Sequence, residues 1–156
     1  MSNKKQIASR LRLPAALAIG VVIGSSMPSA SAWLTQTMGG DSAYKSPGSE
    51  LRIEMLLDRE ILGGDEVEVG IITFPAGTNS GDHKHGATEI FYVLSGELQH
   101  VVNGTNHRLA PGDIGFVRPP DAVNHIVSEQ AGETKAIVIW APGGEGTRIV
   151  ERWQAQ

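Results

Sequence analysis

The sequence contains no cysteine. Its stability must then come from packing without disulfides, and any metal it binds must be held by nitrogen and oxygen ligands, because no thiolate is available. Basic residues are also scarce, 13 against 17 acidic ones. No internal repeat or low-complexity tract breaks the chain, and no adjacent arginine pair supports a twin-arginine export route. The apolar run from Leu13 to Ile23 is too short for a bilayer, which takes about 20 residues, and it dissolves into glycine, serine and Pro28.

What stands at the N-terminus is a graded pattern. Lys4, Lys5, Arg10 and Arg12 come first, then the apolar run, then Ala30-Ser31-Ala32. A basic region, a short apolar region and a small-x-small site predict a signal peptide over residues 1–32, with cleavage after Ala32. An uncleaved anchor is the alternative. Cleavage removes four basic residues and no acidic ones, leaving nine against seventeen and a net charge of −8. Such a body repels phosphate backbones and anionic lipid, so nucleic acid and a membrane surface are excluded as partners. The localisation that follows is periplasmic or extracellular. Residues 33–50, rich in Ser, Thr, Gly and Gln, read as an N-terminal arm without visible chemistry.

"SELRIEMLLDREILGG" follows, either a short amphipathic helix or an edge strand leading to a turn at Gly63-Gly64. Beyond it the pattern is β throughout. "EVEVGIITF", "TEIFYVLSGELQHVVN", "NHRLAPGDIGFVR", "NHIVSE" and "TKAIVIWAP" are rich in Val, Ile, Phe, Thr and Tyr, with Gly, Pro and Asn between them. Short strands at close spacing predict an all-β sandwich or small barrel. "VNGTN" predicts a tight hairpin, because Asn-Gly takes the positive φ values such a turn requires.

One stretch concentrates polar chemistry. In "GTNSGDHKHGATEIFYVLSG", residues 77–96, His83 and His85 are two apart, so on a strand they share a face while Lys84 takes the other. Glu89 opens the next strand, where Glu89, Phe91 and Val93 share one face and Ile90, Tyr92 and Leu94 the other. A carboxylate turned inward among such neighbours needs a counter-charge. The histidine pair is either a solvated turn or most of a metal site. Further on come Gly112-Asp113, Pro119-Pro120 and then His125 at an apolar strand.

These two stretches resemble the two motifs of the cupin family. The first matches throughout, with Gly77, His83-x-His85, Glu89 and Gly96 at the family's spacing. The second departs twice: Ala122 stands where a glycine is usual and Glu129 where an asparagine is. Asn124 beside His125 leaves room for a one-residue register difference. The resemblance covers about residues 65 to 141 and implies a cupin domain over 51–156, an all-β jelly-roll barrel. It also implies one divalent metal, Fe, Mn, Ni, Cu or Zn, held by His83, His85, Glu89 and His125, with positions left for water or substrate.

The functional expectation is an exported, metal-binding cupin acting on a small molecule. One reading is a quercetinase-like dioxygenase in which Glu89 serves as general base and Phe91, Val93, Phe116, Val138 and Trp140 wall off water. The alternatives are a metal-dependent isomerase, epimerase or lyase, and a non-catalytic binding module. No phosphate clamp stands out, Arg118 being the lone candidate. His100 and His107 read as surface strand residues, His100 alternatively as a proton relay facing the cavity. Lys135 turned outward places Ile137 and Ile139 outside and Ala136, Val138 and Trp140 inside, and the outward apolar residues predict a homodimer. The tail after Pro142-Gly143-Gly144 is expected to pack Ile149, Val150 and Trp153 on the outside and to carry no chemistry.

Overall fold

The computed structural model describes residues 43–156. The predicted signal peptide lies outside the described residues. Eleven strands run in the order β1 (Ala43–Lys45), β2 (Arg52–Leu57), β3 (Glu68–Phe74), β4 (His83–Lys84), β5 (Thr88–Ser95), β6 (Leu98–Val102), β7 (Thr105–Leu109), β8 (Ile114–Val117), β9 (Ala122–Ile126), β10 (Thr134–Ala141) and β11 (Gln154–Ala155). Two short helices, α1 (Arg59–Leu62) and α2 (Glu145–Val150), interrupt them. No described helix is long and apolar enough to cross a membrane.

The strands form two antiparallel sheets, one of seven in the order β11-β1-β2-β3-β10-β5-β8 and one of four in the order β4-β9-β6-β7. Alternation drives them together, because each sheet has one apolar face to bury. Phe91 and Val93 of β5 and Ala136, Val138 and Trp140 of β10 face inward from the large sheet. They pack in one cluster with Leu98 of β6, Leu109 of β7 and Val127 just beyond β9, from the small sheet. Ile137 and Ile139 point outward as expected, both only half-buried. The β6–β7 hairpin turns on Asn103 (φ 49°) and Gly104 (φ 79°), the backbone that "VNGTN" predicts.

The ambiguous segment before Gly63 divides into both alternatives. Residues Arg52–Leu57 form a strand paired with β3, and Asp58 then caps the single turn of α1 by accepting from the Ile61 amide. Residues 43–45, within the segment read as an arm, make a strand paired with both β2 and β11. Ala122 has no positive φ, since among the described non-glycine residues only Asn103 does. Alanine in a usual glycine position therefore costs the backbone nothing.

Two expectations are corrected. Phe116 does not wall the interior but is 58% exposed. In β8 the inward positions belong to Gly115 and Val117. A Cβ at Gly115 would come within 2.4 Å of Leu109 Cδ1 and 3.2 Å of His100 Cδ2, so the inner face there is already filled from the opposite sheet. His100 is not a surface residue but 1% exposed. Its strand, β6, pairs centrally with β9 and sets His100 directly opposite His125, so both rings turn into the barrel. His107 is exposed, as predicted.

Candidate functional site

Three separate parts of the chain bring the four histidine and glutamate candidates together. The segment before β4 zips onto β9: the Ser80 amide donates to the His125 carbonyl (3.0 Å), the Val127 amide to the Thr78 carbonyl (2.9 Å), and the His125 amide to Ser80 Oγ (2.9 Å). This registration sets His83 beside Val123 and its ring 5.3 Å, centroid to centroid, from that of His125. His85, just past β4, has its ring 4.8 Å from His83. Glu89 enters from β5 across the interior. The one-residue ambiguity at Asn124 is resolved, because His125 is the inward, buried residue and Asn124 Oδ1 accepts from Ser80 Oγ.

The side chains leave specific atoms free. Glu89 is 2% exposed, and its Oε1 accepts from Trp140 Nε1 at 2.9 Å, a contact set by the direct pairing of Trp140 with Glu89 across β10 and β5. Its Oε2 is 3.0 Å from His85 Nε2 and 3.6 Å from His125 Nε2. The geometry aligns neither contact as a hydrogen bond, so His85 Nε2, Glu89 Oε2 and His125 Nε2 are all buried without a hydrogen-bond partner. Leaving such atoms unsatisfied costs about 1–3 kcal/mol each.

The far sides of the rings are occupied. His83 Nδ1 lies 2.9 Å from the Gly81 carbonyl and His85 Nδ1 3.1 Å from Glu145 Oε1. Both partners only accept, so both Nδ1 atoms carry hydrogen. The Nε2 lone pairs of the neutral rings are then free to bind. Burial lowers the pKa of His85, but the Glu89 carboxylate 3.0 Å from Nε2 and the Glu145 carboxylate bonded at Nδ1 outweigh it and hold the imidazole above its usual range. His125 lies well below that range, first because it is buried and then because His100, His83 and His85 surround it. Burial likewise lowers His100, both of whose ring nitrogens lack partners. The His100 ring stacks on His125 at 5.3 Å and 18°.

Glu145 is the residue that sequence reasoning missed, in a tail expected to carry no chemistry. Burial raises its pKa, yet the Arg148 hydrogen bonds, His85 and the Arg148 charge overcome this and leave the carboxyl below its usual range. Its helix is anchored from below by the buried Glu68, which accepts from the amides of Gly146 (2.7 Å) and Thr147 (3.3 Å) and from Thr147 Oγ1 (2.5 Å). No spacing signal joins Glu145 to a histidine 60 positions earlier. Among the described residues no group of three or more potential ligands stands ready-formed as a cation cage.

A cavity of about 340 Å³ adjoins these atoms. Leu51, Ile53, Ile72 and Phe74 supply apolar wall from the large sheet and its approach, and Ile149 and Trp153 from the tail. The tail thus packs over the opening of the barrel rather than on its outside. Phe91, Val93 and Val138, predicted as wall, are fully buried in the core beneath, and Trp140 reaches the cavity itself.

The comparisons agree with this architecture. Residues 70–142 match the family model of the cupin domain. KdgF from Halomonas sp. superposes with a TM-score of 0.57 at 16% identity, covering 67% of this chain and 89% of that one. An RmlC-like cupin from Shewanella frigidimarina gives 0.55 at 24% identity, covering 67% and 86%. A predicted oxalate decarboxylase from Thermotoga maritima gives 0.54 at 23%, covering 60% and 82%. No curated protein sequence matches the chain. At these identities the likeness to solved structures is one of fold: residues 70–142 match the cupin domain, and the barrel is similar to that of RmlC-like cupins.

Proposed function

We propose that the chain binds one divalent transition metal through His83, His85, Glu89 and His125 and acts with it on a small, mostly apolar molecule in the adjoining cavity. The observation that carries this reading is that three buried, unpartnered atoms lie close together, His85 Nε2 and His125 Nε2 both near Glu89 Oε2. Two ligand atoms about 2.1 Å from a shared ion lie about 3.0 Å apart at a right angle and about 3.6 Å apart at 120°. The separations of Glu89 Oε2 from His85 Nε2 and His125 Nε2 are 3.0 and 3.6 Å, so these two pairs have the spacing of atoms that share one ion. Three imidazoles and a carboxylate suit Fe, Mn, Ni, Cu or Zn without choosing among them.

When bound, such an ion supplies a Lewis acid that polarises an oxygen donor and lowers its pKa. The protein's own part is positioning and proton handling. Trp140 holds one oxygen of Glu89, so Oε2, the oxygen that would bind the ion, would take a proton from an enol or phenol only on loosening from it. The apolar walls exclude water and favour an aromatic or aliphatic body over a sugar, whose hydroxyls would find few partners there. The reaction class that joins these features is dioxygenation of an enolate or phenolate.

The test is elemental analysis of the purified protein, followed by oxygen uptake with flavonols, diketones and catechols. One equivalent of metal that is lost in His83→Ala and His125→Ala supports the site. Turnover without oxygen would move the reading to an isomerase or lyase, and binding without turnover to a binding module.

Two further features belong to this reading. The basic, apolar and small-x-small pattern of residues 1–32 supports an exported protein, periplasmic or extracellular, which N-terminal sequencing of the native protein checks. A homodimer is supported by two apolar rows on the outer face of the large sheet. Ile71, Ile137, Tyr92 and Ile114 lie in register across β3, β10, β5 and β8, and Val69, Ile139, Ile90 and Phe116 run beside them. Ile114 is 65% exposed at the open edge of the sheet.

A further inference from the structure

The cavity has apolar walls but a cationic opening. Lys84 and Arg148 both line it and both are exposed, Lys84 from β4 and Arg148 from α2. The Lys84 ammonium has no ion pair or hydrogen bond among the described residues. Arg148 is fastened along one side only, Nε to Glu145 Oε2 at 3.1 Å and Nη2 to Glu145 Oε1 at 2.6 Å, which leaves Nη1 unbonded. One unpaired ammonium, Lys84, and one guanidinium that is ion-paired to Glu145 but keeps Nη1 free therefore line an apolar pocket, in a chain with more acidic than basic residues.

This combination selects a ligand. A neutral apolar molecule makes no use of the two charges. A sugar phosphate would meet the charges but strand its hydroxyls against Ile53, Ile72, Phe74 and Trp153. An acid with an apolar body satisfies both parts. A guanidinium already pinned at one edge loses little conformational freedom on meeting a carboxylate, and low-dielectric walls strengthen the attraction. We propose that the substrate is an apolar monocarboxylic acid whose carboxylate is held at the mouth by Lys84 and Arg148 while its body lies against the cavity walls. This rests on reading the cavity as the substrate site. It adds what Lys84, between the two histidines, and Arg148, in the tail, do there.

The experiment uses phenylacetate and its neutral counterpart phenylacetamide as probes, with dissociation constants measured by calorimetry at low and high salt. Phenylacetate is expected to bind about tenfold more tightly at low salt, a margin suited to a charge-assisted contact. Lys84→Gln should weaken phenylacetate about threefold and Arg148→Gln more, with phenylacetamide unchanged in both. Because Arg148 also touches Glu145, Lys84→Gln is the cleaner arm, and metal content is measured in every variant. Equal affinity for the two probes, no binding of either at millimolar concentration, or a preference untouched by both variants would overturn the proposal. The chelator-treated protein separates the sources. A preference that survives in both variants but disappears on stripping assigns the carboxylate to the metal and sinks the mouth. A preference lost in the variants, in protein that holds no metal at all, keeps the mouth and sinks the metal reading.

Discussion

Glu145 Oε1 lies 3.1 Å from His85 Nδ1, joining a C-terminal helix to a histidine 60 residues earlier. The contact fixes the His85 tautomer from behind and makes α2 part of the site. Arg148 completes the arrangement by bonding the same carboxylate from the cavity side.

Glu145→Ala should lower metal affinity by about 10–100-fold, the range for losing a carboxylate behind a ligating imidazole. Glu145→Gln, which retains an acceptor without the charge, should fall between it and the parent protein. Competition against a chromophoric chelator measures both. An unchanged affinity in Glu145→Ala would remove the residue from the site.

The anchor under α2 can be tested separately. Glu68 is 1% exposed and satisfies three donors at the start of the helix. Glu68→Ala leaves the buried Gly146 amide and the part-buried Thr147 donors without their acceptor, and should cost about 2–3 kcal/mol of stability by urea denaturation. Metal affinity should fall with it, because a loosened α2 carries Glu145 away from His85.

The metal-free protein should be most stable near the ordinary histidine pKa of 6.5. Above that value His85, raised in the folded state, still holds a proton that the unfolded chain has released, so stability falls as pH rises through its folded pKa. Below it the unfolded chain protonates at His100 and His125, which the folded state keeps neutral, so stability falls as pH drops. Urea titrations with chelator present, on either side of that pH, read the maximum, and a monotonic curve across it would contradict the assignment.

His100→Phe keeps a ring stacked on His125 and removes two buried, unpartnered nitrogens. It should match or exceed the parent stability by up to about 2 kcal/mol and retain the metal. His100→Ala instead opens a cavity and should cost about 2–4 kcal/mol. Metal loss in a folded His100→Phe protein would mean that a His100 nitrogen serves the site directly.

The outer face of the large sheet should respond to charge. Ile114→Lys with Phe116→Glu alters two exposed side chains, so the monomer fold should change by less than about 0.5 kcal/mol per site. Light scattering should report a dimer for the parent and a monomer for the double variant. A parent that is monomeric at every concentration removes the dimer.

The sequence by itself determined the β architecture and the local half of the site. Period-two alternation assigned Glu89, Phe91 and Val93 to one face and Ala136, Val138 and Trp140 to another, because neighbouring side chains on a strand must point opposite ways. His83, His85 and Glu89 are close in sequence, so their spacing alone brings them together, and the second motif supplied His125. Tertiary structure decided the rest. Whether the face of β6 carrying His100 is inside depends on which strand lies beside it, and only the pairing with β9 sets it against His125. Phe116 lies outside because Leu109 and His100 already fill the space within. Glu145, Glu68 and Arg148 meet the site through a helix folded back over the barrel, a contact carried by no periodicity. Local pattern reports which way a side chain points relative to its own strand, and packing decides what it meets there.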